Sequence, residues 1–201
     1  MAFLVLSLPR SRSAWLSKWL DRPGEPVGHD ELIGCGSVAE FTARFSGEGS
    51  GLGVLAGSCE TGAMVGWRLL REAMPDAKLA VVRRPVREVE ASLRRFGFEP
   101  DVGELLARDA MLDAVQGLPG VMAVQYWALR DPLTCAQLYT FCTGAPFDPA
   151  HWQLYNSVNI QIQPQERLRH LWLNQHHTAS LKAEVVRRGL EMRGQCDFRF
   201  N

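Results

Sequence analysis

Short apolar runs that alternate with helical segments predict an α/β fold: three layers, α/β/α, built on a mainly parallel sheet. Two patterns carry that expectation. The runs at 2–8 (AFLVLSL) and 78–82 (KLAVV) are almost continuously apolar, which is how strands buried on both faces read. Each leads through an arginine- and proline-containing turn into a stretch with apolar residues spaced for one helix face. Length and composition agree, since 201 residues, 46% hydrophobic and 22% charged, suit one globular domain spanning 1–201.

The elements follow in order. The first strand breaks at Pro9, and PRSRSAW opens a helix from Ala14 with Trp15, Leu16, Trp19 and Leu20 on one face. Residues 21–30 (DRPGEPVGHD) read as a surface loop. Ser37 caps a helix through Phe45, with Glu40 as its capping-box partner. The stretch 46–53 (SGEGSGLG) reads as a spacer, with a mobile lid as the alternative. A short strand is expected at Val54–Ala56, then GSCETG, then a helix from about Met64 to Met74. Lys78–Val82 is a strand ended by Arg83-Arg84-Pro85, and Pro85 starts a helix running to about Arg95. A helix near 102–114, a strand at Val121–Gln125 and a helix over 131–143 come next, the last opened by Asp131-Pro132 and closed by Gly144. The remainder reads as helical or irregular, with an amphipathic helix near 178–190.

Charge and cysteine usage narrow the function classes. Lys+Arg and Asp+Glu both number 22, so bulk electrostatic binding of nucleic acid is not expected. Lys18, Lys78 and Lys182 are the lysines and the other basic residues are arginines, which suit planar oxyanion recognition. Five cysteines without CxxC spacing argue against a zinc site or a disulfide framework and for a reducing, cytoplasmic setting. The apolar run from Ala2 to Leu6 is too short for a signal sequence, and no run is long enough to cross a membrane.

Ligands of parallel α/β folds bind beyond the carboxyl ends of the strands. The segments there, PRSRSAW and RRPVREVEAS, carry arginine and serine and precede helices. A helix N-terminus offers unpaired N–H groups and a positive dipole end. The amides from Ser11 to Trp15, the hydroxyls of Ser11 and Ser13 and the charges of Arg10 and Arg12 are therefore candidates to wrap an oxyanion. The lysine of the metal–ATP loop and the hydroxyl after it are missing, which disfavours that chemistry.

LSLPRSRSAWLSKWL resembles the 5′-phosphosulfate loop of sulfotransferases, P-[KR]-S-G-[ST]-[ST]-W/L-L, through Pro9, Arg10, Ser11, Ser13, Trp15 and Leu16. Arg12 stands where the family has glycine, and Ala14 where it has a hydroxyl residue. PDAKLAVVRRPVREVEASLRRFGF resembles the family's second signature, in which an arginine at a strand end and a helical serine hold the donor's 3′-phosphate. Arg84 keeps the spacing to Ser92, Arg83 keeps the order relative to Pro85, and either fits the role. A third match, VMAVQYWALRDPLTCAQLYTFCTGAPFD, carries Tyr126, Leu129, Asp131, Pro132, Phe141, Gly144 and Pro146.

The resemblance implies a sulfotransferase-type nucleotide fold. It implies transfer of a sulfuryl group from 3′-phosphoadenosine 5′-phosphosulfate, without a metal, to a hydroxyl or amine on a small or carbohydrate-like acceptor. Arg10, Ser11, Arg12, Ser13, Ala14 and Trp15 would hold the phosphosulfate, and Arg83 or Arg84 with Ser92 the 3′-phosphate. Arg10 would also stabilise the leaving phosphate. His29, in GHDEL, and Glu60, in GSCETG, are the candidate general bases. The alternatives are a phosphotransferase of related fold and a non-catalytic nucleotide-binding or structural protein that retains the fold. His176-His177 reads as a surface pair, the tryptophans mainly as core, and SVNIQIQ as an edge strand without an assigned role.

Overall fold

A computed structural model of the chain describes residues 2–47 and 54–157. Five strands form one sheet: β1 (Phe3–Ser7), β2 (Val27–His29), β3 (Gly57–Glu60), β4 (Lys78–Arg83) and β5 (Met122–Gln125). Their order is β2-β3-β1-β4-β5 and every pairing is parallel. Central β1 pairs on both sides, with Leu4 opposite Ser58 on β3 and Leu79 on β4. All five of its residues are buried, as its unbroken apolar run requires.

Alternation along β1 and β4 divides the core into two layers. Leu4, Leu6, Leu79 and Val81 face one side, and Phe3, Val5, Ala80 and Val82 the other. On the first side pack α2 (Val38–Ser46), α3 (Trp67–Ala73), α4 (Val86–Arg95) and α5 (Val102–Gln116), through Phe41, Leu69, Leu70, Val89 and Leu112. On the second pack α1 (Ser13–Leu20), α6 (Pro132–Thr143) and α7 (Pro149–Ser157), through Leu16, Trp19, Leu138 and Trp152. The three-layer α/β/α architecture with a parallel sheet is thus as expected.

The helix ends follow local chemistry. Ser37 Oγ accepts from the Glu40 N–H at 3.1 Å, and the Glu40 carboxylate reaches back to the Gly36 N–H at 2.7 Å. Asp131 accepts from the N–H groups of Leu133 and Thr134, Pro132 takes the first turn of α6, and Gly144 ends it at φ 70°.

Three expectations need correction. The loop expected over 21–30 contains β2, a three-residue edge strand with glycine at its centre, too short to leave a period in the sequence. The strand expected at Val54–Ala56 lies at Gly57–Glu60, where no β-branched residue marks it. A Cβ on Gly57 would meet the Phe3 ring at 2.2 Å, so strand pairing here depends on the missing side chain. The helix expected from Met64 begins as a 3-10 turn, Ala63–Gly66, and becomes α-helical at Trp67. Smaller shifts place the start of α1 at Ser13 and Pro85 just outside α4. Most of 46–53, SVNIQIQ, Trp172, His176-His177, the helix near 178–190 and the last arginines lie outside the described residues.

The topology sets the position of the loop after β1 relative to the two helical layers. The helix after β1 lies on one face, and the helices after its neighbours β3 and β4 lie on the other. The loop after β1 therefore opens where the connections part, the switch point at which such sheets bind ligands.

Candidate functional site

The loop from Leu8 to Arg12 joins β1 to α1 in a backbone conformation the sequence does not favour. Arg10 has φ 64° and Arg12 φ 67°, both left-handed, with Ser11 between them at negative φ. Alternation of this kind turns successive N–H groups into an anion-binding concavity. Left-handed φ at a residue with a Cβ costs about 1–2 kcal/mol, and such strain clusters at functional sites. Arg12 thus holds a conformation that a glycine takes without strain. Ser11 is wholly buried, and its Oγ, like that of Ser7 at the end of β1, has no hydrogen-bond partner among the described residues. The Leu16 N–H closes onto the Arg12 carbonyl at 2.8 Å, while the N–H groups of Ser13, Ala14 and Trp15 stand in the first turn, which has no intrahelical acceptor.

Arg10 points toward α4. Its Nε donates to Ser92 Oγ at 3.4 Å and its guanidinium lies 3.6 Å from the centre of the Phe96 ring. Arg84, just past β4, donates to the Arg10 carbonyl and stacks on Tyr126, 4.1 Å from the ring centre. Arg10, Arg84 and Ser92 therefore form one wall beside the loop. Arg83 is turned the other way, onto Asp109, Asp113 and Gln116 of α5. That network joins the end of β4 to α5 and removes Arg83 from the loop. Spacing alone left the two arginines open; the contacts separate them.

Arg12 and Trp15 face α7. Arg12 donates to the Leu129 carbonyl at 3.4 Å and to Asn156 Oδ1 at 3.2 Å, and its guanidinium stacks 3.9 Å over Trp15. Burial lowers its pKa. The Trp15 indole N–H donates to the Tyr155 carbonyl at 2.7 Å, and its ring stacks on Trp19. Ala14 brings only its backbone N–H to the first turn. Both residues contribute main chain to the loop and side chains to the packing.

His29 ends β2 beside the same first turn, with Nε2 3.0 Å from Ser13 Oγ and 3.5 Å from Asp30 Oδ2. Asp30, left-handed at φ 53°, accepts through Oδ1 from the Thr61 N–H at 2.7 Å and the Thr61 hydroxyl at 2.9 Å. Glu60 makes the reciprocal tie: Oε1 accepts from the Glu31 N–H at 3.0 Å and from Ser58 Oγ, and Oε2 from the Leu32 N–H at 3.4 Å. The two buried carboxylates thus cross-link the ends of β2 and β3. Burial, then the nearby Asp30 charge, pushes Glu60 up to about 8 against the pull of those three donors. Glu60, expected as a base, is 1% exposed and serves as the cap of the 3-10 turn Glu31–Gly34. Among the described residues no group of three His, Cys, Asp or Glu side chains is placed to hold a metal ion, and no helix is long and apolar enough to cross a membrane.

Phe96, Asp30, Thr61 and Asn156 were not legible as site residues. Tyr126 lay in a matched segment but had no assigned contact; its position just past β5 was the available signal. Neither a scan against protein-family models nor a search of curated proteins gives a match to this chain.

Proposed function

We propose that the loop after β1 binds the phosphosulfate of 3′-phosphoadenosine 5′-phosphosulfate and that the protein transfers the sulfuryl group to a hydroxyl or amine of a small or carbohydrate-like acceptor. The observation that carries this reading is the junction of Arg10, Arg84 and Ser92 beside a left-handed loop whose buried Ser11 hydroxyl has no partner among the described residues. A buried hydroxyl without a partner fits an oxygen ligand, since leaving it unsatisfied costs about 1–3 kcal/mol. In this reading the amides of Ser13, Ala14 and Trp15 and the Ser11 and Ser13 hydroxyls donate to the oxyanion. Arg10 neutralises the charge that grows on the departing phosphate. Arg84 and Ser92 hold the 3′-phosphate, with Arg83 left to its structural ion pairs. When bound, the donor supplies the sulfuryl group and departs as the 3′,5′-bisphosphate.

Binding without turnover is the second reading, and the commitment of Glu60 to backbone N–H groups favours it. A phosphotransferase gains no support: Lys18 lies in the last turn of α1 and Lys78 at the start of β4, and neither is in the loop.

Calorimetric titration with 3′,5′-adenosine bisphosphate, without metal and against ATP with magnesium, tests the reading. Micromolar binding of the bisphosphate, lost in Arg10→Ala and Ser92→Ala, is expected. Binding of ATP–magnesium alone would replace the reading with a phosphotransferase. Bisphosphate binding with no transfer of labelled sulfate to any of a panel of sugars, phenols and amines would leave the second reading.

A further inference from the structure

The two left-handed residues of the loop after β1 are held in different ways. Arg12 passes its carbonyl to the Leu16 N–H, so the first turn of α1 fixes it. Arg10 lies before the helix, in a turn that Pro9 opens. Proline followed by a left-handed residue is the pattern of a type II turn, whose third position favours glycine. Arginine stands there in this chain, and its carbonyl accepts from Arg84 Nη1, 74 positions further along. A bond from a charged donor is among the stronger hydrogen bonds. The buried Ser11 hydroxyl follows directly after Arg10, so the setting of the Arg10 carbonyl also sets where Ser11 stands.

Arg84 is itself held on several sides. Its guanidinium lies 4.1 Å from the centre of the Tyr126 ring, its Nε is 3.5 Å from Glu88 Oε2, and its side chain is 15% exposed. No described residue accepts from its Nη2. A guanidinium carries five N–H groups in one plane, so one arginine can hold a carbonyl with one nitrogen and an anion with another.

We infer that Arg84 is a positioning residue for the oxyanion loop: through the Arg10 carbonyl it keeps the loop in its left-handed form, and the Tyr126 ring keeps Arg84 in the plane that this requires. The inference rests on the oxyanion reading of the loop. It gives Arg84 a second task beside the 3′-phosphate, one on which a ligand without any 3′-phosphate still depends. The two ends of a bisphosphate ligand are then coupled. An anion on Nη2 steadies the guanidinium, and the steadied guanidinium preserves the loop for the other anion.

Adenosine 5′-monophosphate is the probe, because it has a phosphate for the loop and none at the 3′ position. Its binding to the full chain is followed by nuclear magnetic resonance, and amide spectra check that each variant is folded. Arg84→Ala should weaken that binding about tenfold. Tyr126→Leu leaves every charge in place and should weaken it about threefold. A left-handed residue brings its own N–H and Hα close together, so Arg10 should give a strong cross-peak between them in the nucleotide-free chain. That cross-peak should fade in Arg84→Ala and weaken in Tyr126→Leu. A guanidinium acting on the nucleotide by charge alone would leave it unchanged. Persistence of the cross-peak in Arg84→Ala, or monophosphate binding by that variant as tight as that of the unaltered chain, overturns the positioning role. The loop reading then stands on the binding of the 3′,5′-bisphosphate to the unaltered chain. An unaltered chain that binds neither nucleotide overturns both.

Discussion

Replacing Glu60 by glutamine should change how the stability of the protein depends on pH. Glu60 is 1% exposed, lies near Asp30 and is held at about 8, against an ordinary 4.5. Between those values the folded chain keeps a proton that the unfolded chain has released. The unfolded state binds fewer protons there, so stability falls as pH rises, by at most about 1.4 kcal/mol per pH unit. The contribution is complete below about pH 4.5 and gone above about pH 8. In Glu60→Gln the amide oxygen still accepts from Ser58 and Glu31, but the amide nitrogen faces the Leu32 N–H. That loses one long hydrogen bond, costing roughly 1 kcal/mol at every pH. The curves should therefore cross near about pH 5: the variant is the less stable protein at about pH 4 and the more stable one at about pH 8. Urea unfolding at half-unit steps of pH, with the difference between the two chains plotted, isolates Glu60 from other titrating groups such as Asp109 and Asp131. Parallel curves would refute the argument that burial and the Asp30 charge keep this carboxyl neutral.

Three further outcomes follow from the same geometry. Arg84→Ala should weaken bisphosphate binding by about tenfold or more, while Arg83→Ala should leave binding near the unaltered level and lower stability, since Arg83 is held by Asp109 and Asp113; calorimetry and thermal unfolding separate the two. Arg12→Ala and Arg12→Gly lose the same contacts, but only alanine keeps a Cβ at φ 67°, so denaturant unfolding should find the glycine variant about 1 kcal/mol the more stable. Gly57→Ala should destabilise by roughly 1–3 kcal/mol in the same assay, because the new Cβ meets the Phe3 ring, which is 2% exposed and cannot give way.

The layers of the fold were legible in the sequence because they depend on local pattern. An apolar run such as Phe3–Ser7 is unstable as anything but a strand covered on both faces, and Trp15, Leu16, Trp19 and Leu20 can share a face only in a helix. The caps at Ser37 and Asp131 are likewise made by residues within four positions of each other. The edge strand β2 was not legible, since three residues around a glycine acquire their conformation from pairing with β3. The site divides along the same line. Sequence marked the loop Pro9–Trp15 and the arginines and serine after β4, because charge and hydroxyl content are written in residue type. Tertiary structure decided which residue meets which: Arg84 rather than Arg83 beside the loop, Arg12 packed on α7, Glu60 spent on the backbone of Glu31 and Leu32, and His29 set against Ser13. These contacts join residues 16 to 144 positions apart in the chain. Their partners are fixed by the crossing of strands and helices, and no short window of sequence holds both ends of such a contact.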